Sequence, residues 1–375
     1  MTKQPVASRL TWPQVFAFRL ERQQLAARAP SKDLARVVGK MGGAQAQVMS
    51  AAELQIAVRT DCKVQDVRKA LWTDRSLVKT WLMRGTLHLA RADDLPLYTA
   101  AMSSRWIHVR PSWLKYMQMS ESEFWKLAGD IGAALDGNPL TREELIAEVG
   151  QGKSPHVRQL LRSGWGGMLK PAARNGLLCF GPSRGQSVTF VSPRKWFSSW
   201  REHDPDEAIV EVARRYLHTN GPATKNDFAR WWGAWPGVAN AAWSGLADEV
   251  VAVSVDGLVL DVLEADISAI EKAKLERRVH LLPLFDPYLM GHAKRHHLFD
   301  MVYAPRVSRT AGWISAVLLV DGRVAGTWKH STNRTLRISL EPFDRLPSDV
   351  LKQAKRRAAE ICEALGLRDY ELKVA

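Results

Sequence analysis

Three stretches of the chain repeat one order of patterns: a helix, a turn, a second helix and a β-hairpin. In the first, apolar residues at helical spacing run from Cys62 to Leu71, and the segment 75–81 then leads to a strand-like run at 85–90. This order is that of the winged helix, a helix-turn-helix variant whose second helix can enter a major groove and whose hairpin can contact the DNA backbone. The chain is therefore predicted to contain tandem winged-helix units.

The second stretch has a clearly marked start. Thr141 is followed three residues later by Glu144, which has the form of a capping box, and an apolar helix follows. The candidate recognition helix runs from His156 to Leu178, with an interruption at 164–167. Apolar runs then flank a glycine-containing tip at 181–185, which predicts a hairpin with Arg184 at its tip.

The third stretch opens at Asp204, where a proline and acidic residues suit a helix N-terminus. A cap at Thr224 predicts a short helix that ends at Trp232. The dipeptide Asp256-Gly257 between two apolar runs is a strong hairpin signal. The three stretches lack close sequence identity, so they are repeats of form only.

The last part of the chain has a different pattern. A charged helix is predicted from Asp266 to Arg277, and apolar runs alternating with turns at 279–340 indicate a small β-barrel or sheet. A final helix over 348–365 carries an apolar face and is expected to pack on that sheet. The fold class is therefore α+β. The expected divisions are an N-terminal helical region with the first winged helix at 1–135, the second winged helix at 136–203, the third at 204–265 and the β-rich element with its terminal helix at 266–375.

The charge of the chain indicates a polyanionic partner. The net charge is +14 and the pI is about 9.8, and nucleic acid is favoured over a membrane surface because no long basic amphipathic helix stands out. An ordinary basic cytosolic protein is the alternative. Residues 151–200 contain no Asp or Glu, which favours a surface that follows DNA phosphates. The candidate DNA-binding residues are Lys153, Arg158, Arg162, Lys170, Arg184, Lys294, Arg295, Arg306 and Arg309.

The cysteines Cys62, Cys179 and Cys362 are far apart, so neither a disulfide framework nor a zinc site is indicated. The chain has no apolar signal-peptide core and no run near the ~20 apolar residues that span a bilayer. A cytoplasmic protein is expected, without membrane attachment. A monomer is expected, because several such units in one chain can cover DNA. The sequence has no heptad repeat that would predict a dimer.

Gln45 and Gln47 form an unusual pair of amides two residues apart, in a glycine-punctuated turn before an apolar helix. Each amide carries an acceptor oxygen and two N–H donors, so two of them in one cleft can hold a water molecule. Neutral amides are weak bases, and they suit a reaction with an easily departing leaving group and a cationic transition state. On the motif alone, a solvent-facing helix start or a cap is the favoured alternative.

Five sequence blocks carry a resemblance to a known family. They are Leu10-Thr11-Trp12-Pro13-Gln14-Val15, Gly43-Ala44-Gln45-Ala46-Gln47, the run from Trp81 to Leu89, the run from Leu282 to Leu289 and the run from Asp321 to Trp328. In this order they resemble the winged-helix DNA glycosylases of the AlkZ and YcaQ type. The resemblance implies an enzyme without metal or cofactor that hydrolyses the N-glycosidic bond of alkylated purines in double-stranded DNA, including bulky adducts and interstrand crosslinks. It also implies a C-shaped basic concave surface.

In that family the Gln-x-Gln form, which this chain has, marks a branch associated with self-resistance to DNA-alkylating natural products. A Gln-x-Asp form marks a broader relative. The resemblance makes Gln45 and Gln47 the candidate catalytic residues. It leaves open whether the chain serves self-resistance or general base excision repair, and which lesion it acts on.

An alkylated purine carries positive charge, so its release as a neutral base needs no general acid, and two amides can orient the attacking water. Lys40 is a candidate for Schiff-base lyase chemistry, with phosphate contact as the favoured alternative. His88 is expected to be packed, and Asp286 to cap the backbone before Pro287. The histidines at 292–297 are expected in a basic turn that faces DNA, with a solvated loop as the alternative. A non-catalytic winged-helix transcriptional regulator is the main alternative function, and a nuclease is a weaker one because no acidic cluster suits two metals.

Overall fold

The computed structural model describes residues 6–103, 109, 111–164 and 166–375. Trp165, which its glycine neighbours predict to be exposed, lies outside the described residues. The α-helices are α1 Trp12–Arg22, α2 Leu34–Lys40, α3 Met49–Ala57, α4 Val64–Trp72, α5 Leu95–Met102, α6 Pro111–Met117, α7 Glu121–Ala134, α8 Arg142–Val149, α9 Pro155–Arg162, α10 Lys170–Arg174, α11 Pro193–Trp196, α12 Pro205–Asn220, α13 Lys225–Trp232, α14 Pro236–Gly245, α15 Ile267–Lys272, α16 Pro287–Met290, α17 Ala304–Val307 and α18 Ser348–Ala364.

The strands are β1 Arg9–Leu10, β2 Ala44–Gln45, β3 Leu77–Trp81, β4 Leu87–Arg91, β5 Leu140–Thr141, β6 Cys179–Arg184, β7 Ser187–Val191, β8 Val250–Val255, β9 Leu258–Leu263, β10 Val279–Leu282, β11 Val317–Val320, β12 Arg323–Thr332, β13 Thr335–Pro342 and β14 Asp369–Val374. Three of the sheets they form have three strands, in the orders β2-β4-β3, β5-β7-β6 and β1-β8-β9. Each joins a two-residue strand to a hairpin. The α+β class and the hairpins of the three stretches are confirmed.

The local signals of the second and third stretches are confirmed. The Thr141 side chain accepts a hydrogen bond from the Glu144 backbone, and the Glu144 carboxylate accepts one from the Thr141 backbone at 2.7 Å. Thr224 caps α13 in the same way. Residues Asp256 and Gly257 both have positive φ, 45° and 90°, as a two-residue type I′ hairpin turn requires.

The N-terminus joins the third stretch rather than the first, which was not predicted. Strand β1 pairs in parallel with β8, so that Leu10 lies beside Val255. Phe18 of α1 is 1% exposed and belongs to the same apolar cluster as Val253 and Val262. Strand β1 thus completes the three-stranded sheet that it forms with β8 and β9.

The C-terminal region forms a five-stranded sheet in the order β10-β11-β12-β13-β14. Helix α18 packs on it as expected, because Val350, Ala354 and Ile361 share an apolar cluster with strand residues such as Leu318 and Trp328. Strand β14 was not predicted; it pairs in parallel with β13 after α18 returns the chain to the sheet edge.

The predicted helix from Asp266 to Arg277 is wrong in its second half, since α15 ends at Lys272. Beyond that residue the chain is held by Asp321 on another segment. Asp321 accepts a hydrogen bond from the backbone N–H of Arg278 at 2.9 Å and pairs with Arg277 at 3.0 Å. These tertiary contacts override the helical preference of the charged residues.

Candidate active site

The Gln-x-Gln motif begins in a strand of the first three-stranded sheet. Gln45 is the last residue of β2 and lies opposite His88 of β4, and the next backbone N–H, of Ala46, donates to the carbonyl of Leu87 at 2.7 Å. Gln45 is 7% exposed, whereas Gln47 is exposed. Gln47 lies two residues past the end of β2. A buried amide and an exposed amide therefore follow one another along the chain.

Arg84 holds the side chain of Gln45. Its Nη2 donates to Gln45 Oε1 at 3.0 Å and lies 3.4 Å from His88 Nε2. Its Nη1 donates to the backbone carbonyl of Trp231. The backbone carbonyl of Gln45 accepts a hydrogen bond from Gln55 Nε2 at 3.3 Å. Both the amide and the main chain of Gln45 are thus fixed before any substrate arrives.

Arg84 itself is held in an unusual backbone conformation, with φ at 58°. Gly233 approaches so closely that a Cβ there would lie 2.7 Å from Arg84 Cα, and the φ of Gly233 is 81°. Burial, followed by the charges of Arg295 and Arg230, lowers the pKa of Arg84 to about 10. Arg84 stays charged at neutral pH, and it has no ion pair with a carboxylate in the described part of the chain.

His88 is packed, as predicted. Its Nδ1 lies 2.9 Å from the Thr86 carbonyl, to which it donates as Nδ1–H, which leaves Nε2 as the acceptor facing Arg84. Burial, followed by the Arg84 charge, lowers the pKa of His88 to about 3. A neutral imidazole in this position supports Arg84 and is poorly suited to proton transfer at neutral pH.

Just past the end of helix α3, which follows the motif, a buried ion pair anchors the chain. Arg59 donates to the Asp286 carboxylate at 2.7 and 2.8 Å, and both side chains are 0% exposed. Asp286 also accepts from the backbone N–H of Tyr288 at 3.0 Å, which confirms the predicted cap. Gln55 of the same helix donates to the Leu284 carbonyl at 2.8 Å. The Leu282–Leu289 block therefore fixes the helix that follows Gln45.

Sequence reasoning missed the partners of Gln45 and Asp286. Arg84 lies within one of the five blocks, which was the available signal. The pairing of Arg59 with Asp286, 227 residues apart, had none.

The predicted DNA-binding residues of the second stretch differ in solvent exposure and in their pairing with acidic side chains. Arg184, at the hairpin, pairs with Glu144 at 2.7 Å and donates to the Pro139 carbonyl, so it folds back on its own unit. Arg162 is exposed, 3.9 Å from Glu143. The remaining three predicted residues of this stretch are half-buried, namely Lys153, Arg158 and Lys170.

The predicted DNA-binding residues of the C-terminal region also differ, because two of them bind other groups of the protein and two are exposed. Arg295 is largely packed, with Nε donating to the Leu289 carbonyl at 2.7 Å and Nη1 to Ser308 Oγ at 3.0 Å. Arg306 donates to the Glu341 carbonyl at 2.8 Å. Lys294 and Arg309 are exposed.

The expectation that the whole histidine turn faces DNA is wrong. His292 is 4% exposed, and His297 stacks on Trp12 with ring centroids 4.4 Å apart. His297 Nε2 also lies 3.1 Å from Nη1 of the buried Arg19. Apolar packing and this contact draw both rings inward, and only His296 is exposed.

Lys40 ends α2, and its carbonyl accepts a hydrogen bond from Thr219 Oγ1 at 2.9 Å. Burial, followed by the neighbouring arginine charges, lowers the pKa of Lys40.

Among residues that the structure describes, no cluster of three or more His, Cys, Asp or Glu could hold a metal ion. No described helix is long and apolar enough to cross a membrane.

Comparison with known proteins decides the family. The model of the AlkZ-like DNA glycosylases matches residues 38–366, which include the motif, the Arg84 turn and Asp286. The chain belongs to the AlkZ-like DNA glycosylase family. The resemblance carried by the five blocks is thereby confirmed, and the regulator alternative is not favoured.

One curated relative and one solved structure are similar over nearly the whole chain. An interstrand DNA cross-link repair glycosylase of Streptomyces sahachiroi is 35% identical over 376 residues, which cover 97% of this chain and 99% of that protein. The solved structure of the Streptomyces sahachiroi DNA glycosylase AlkZ matches with a TM-score of 0.87 at 35% identity and covers 98% of this chain and 100% of that one. A DNA glycosylase acts on DNA, so the predicted partner is confirmed at that level.

Proposed function

We propose that this chain is a monofunctional DNA glycosylase that hydrolyses the N-glycosidic bond of N-alkylated purines in duplex DNA, with Gln45 and Gln47 as its catalytic residues. The observation that carries the proposal is the fixed amide of Gln45, held by Arg84, two residues before the exposed amide of Gln47, which lies just past the end of β2. A preorganised dipole of this kind can orient a nucleophile without reorganisation during the reaction.

The proposed reaction needs little acid or base strength. The oxygen of a water molecule forms a bond to C1′ of the deoxyribose while the bond from C1′ to N9 of the alkylated purine breaks, and the electron pair of that bond leaves with the base. The base departs neutral because it was cationic, and the proton of the attacking water passes to solvent. Arg84 occupies one lone pair of Gln45 Oε1, which leaves the second lone pair and the two Nε2–H donors to hold the water.

The proposed lesions are N7-alkylguanines, bulky adducts and interstrand crosslinks. The name of the similar Streptomyces protein supports the last of these. Two neutral amides, with no carboxylate at position 47, favour substrates whose leaving group is already activated, and they disfavour normal bases. A role in self-resistance to DNA-alkylating natural products fits the same preference.

We propose that the three helix-and-hairpin stretches act as winged-helix units, with the divisions 1–135, 136–203, 204–265 and 266–375, and form a basic concave surface around the motif. The net charge of +14 supports this assignment. The exposed cations Arg162, Lys294 and Arg309 are the best placed for phosphates, since their side chains face solvent. The enzyme is proposed to act as a monomer, without metal, in the cytoplasm.

The test is release of 7-methylguanine and of a bulky N7-guanine adduct from duplex DNA, in buffer that contains a chelator. We expect release of both bases, with an abasic site in an intact strand. Strand cleavage that borohydride traps as a covalent complex through Lys40 would instead indicate lyase activity. Sequence-specific binding without release of either base would favour the regulator alternative.

A further inference from the structure

Helix α13 of the third stretch contacts the candidate active site through Trp231. The backbone carbonyl of Trp231 accepts a hydrogen bond from Nη1 of Arg84, and Nη2 of the same guanidinium donates to Gln45 Oε1 at 3.0 Å. The Trp231 ring also packs on the turn before the motif, since a Cβ at Gly42 would lie 3.1 Å from that ring. Residues next to Trp231 therefore have a fixed place relative to Gln45.

Arg230, the residue before Trp231, is an exposed arginine that has no partner within the described part of the chain. Its side chain forms neither a hydrogen bond nor an ion pair there, and no sequence motif singled it out. A guanidinium presents a planar set of N–H donors that suits the oxygens of a phosphate. Arg230 can therefore bind an anion without breaking a contact of the folded protein.

A second arginine reaches the same place from the C-terminal region. Asp227, one turn before Arg230 on α13, accepts a hydrogen bond from the backbone N–H of Ala293 at 2.8 Å. This contact holds the segment that carries Arg295 against α13. The Arg295 guanidinium donates from Nε and Nη1 to groups of the C-terminal region, which leaves its Nη2 without a hydrogen bond to any residue that the structure describes.

The charges of the three arginines act on one another. The charges of Arg295 and Arg230 add to burial in lowering the pKa of Arg84, and the Arg230 charge adds to burial in lowering that of Arg295. No carboxylate among the described residues forms an ion pair with any of the three. Asp227 has both of its carboxylate oxygens bound by backbone N–H groups. Because like charges at this range repel one another, an anion between them is strongly favoured.

We propose that Arg230 and Arg295, supported by the charge of Arg84, bind one backbone phosphate of the DNA strand that carries the lesion. The inference rests on the proposed function and adds a binding site to it. In duplex DNA, the phosphates that flank a nucleotide are the anions nearest to its C1′ atom. A phosphate held beside Trp231 therefore brings the glycosidic bond to the water at Gln45.

The first measurement tests whether Arg230 contacts a phosphate at all. Fluorescence anisotropy gives the salt dependence of binding to a lesion-free duplex for wild type, for Arg230→Gln, which removes the charge, and for Arg230→Lys, which keeps it. Arg368→Gln is the matched control, because Arg368 is also exposed and unpaired among the described residues. Arg230 has no such contact to lose, so neither of its substitutions is expected to unfold the protein.

We expect Arg230→Gln to make the plot of log Kd against log salt concentration shallower by about 0.9, as the loss of one phosphate contact predicts. Arg230→Lys and Arg368→Gln should keep the wild-type slope. A wild-type slope in Arg230→Gln would overturn the site. This measurement needs no base release.

The second measurement locates the phosphate. Duplexes with one 7-methylguanine carry a single neutral methylphosphonate at the first, second or third phosphate on either side of the lesion, and kcat/KM for base release is measured on each. In the wild type, we expect replacement of one phosphate next to the lesion to lower kcat/KM by about tenfold, the loss expected for one charge-assisted hydrogen bond. Arg230→Gln should show this loss on the unmodified duplex and no further loss from the same methylphosphonate.

Losses from Arg230→Gln and from the methylphosphonate that add at every position would contradict the placement of this phosphate beside the lesion. A shallower salt dependence in Arg230→Gln, without release of any base by the wild type, would support the phosphate contact and contradict the proposed glycosylase function. Base release that is independent of Arg230 would do the reverse. The two proposals therefore fail separately.

Discussion

Arg84 donates a hydrogen bond from Nη2 to Oε1 of Gln45 across 3.0 Å, although the two residues lie 39 positions apart. The contact fixes the orientation of the Gln45 side-chain amide. The guanidinium is fixed in turn by the carbonyl of Trp231, and Gly233 packs closely against the Arg84 backbone. The proposed catalytic amide is thus supported by a residue that need not touch the substrate.

Replacement of Arg84 by Lys should lower kcat for base release by about 100-fold with little change in KM, because a lysine cannot contact Gln45, His88 and Trp231 together. Single-turnover and steady-state rates on one lesion measure the split. Arg75→Lys is the matched control, since Arg75 is an exposed arginine bound to the Trp196 carbonyl. An equal effect of both substitutions would exclude a positioning role.

The Arg59–Asp286 pair should contribute strongly to stability, because removal of one partner leaves an unpaired charge in a fully buried site. Asp286→Asn is expected to lower the free energy of unfolding by about 3–5 kcal/mol. Urea denaturation measures the change. Asp130→Asn, which breaks the exposed pair with Lys126, should cost less than about 1 kcal/mol.

Acid should destabilise the protein through its buried histidines. Burial, followed by arginine charges, lowers the pKa of His280 to about 3 and that of His297 to about 2. The unfolded chain binds protons at these rings below about pH 6.5, whereas the folded protein does not. The free energy of unfolding should therefore be highest above pH 6.5 and fall as the pH drops from there toward 3.

Each such histidine contributes a slope of up to about 1.4 kcal/mol per pH unit in that window. Urea denaturation between pH 7 and pH 4.5 should show a smaller slope in His280→Asn than in wild type. His296→Asn serves as the control because His296 is exposed. A slope that His280→Asn leaves unchanged would rule out this assignment.

DNA affinity should depend on salt through the exposed cations. Arg309 is exposed and has no side-chain ion pair or hydrogen bond with the described residues. Its replacement by Gln should reduce the slope of log Kd against log salt concentration by about 0.9, the value for one phosphate contact. Arg36→Gln removes the same charge from an arginine paired with Asp33 and should leave the slope unchanged. Equal slopes in wild type and Arg309→Gln would remove Arg309 from the interface.

Elements with local signals were predicted well. The caps at Thr141 and Thr224 and the turn at Asp256-Gly257 depend on residues within three positions of one another, so the sequence carries their full signal. The helix that ends early at Lys272 and the pairing of β1 with β8 depend on contacts far along the chain.

The candidate site also combines a feature with a local sequence signal and features that depend on long-range contacts. The Gln-x-Gln motif is contiguous and was found from its residue types. The contacts of Arg84 and Gln55 with Gln45, and the packing of Gly233 against Arg84, depend instead on the three-dimensional structure. Periodicity and short motifs cannot encode such convergence.

The central claim is tested most directly by single-turnover release of one N7-alkylguanine lesion from duplex DNA by wild type, Gln45→Ala and Gln47→Ala, with DNA affinity measured in parallel. The account predicts that both variants bind the duplex like wild type but lose at least about 100-fold in the rate of base release. Release at the wild-type rate by either variant, with DNA binding intact, would contradict the assignment of that glutamine to catalysis.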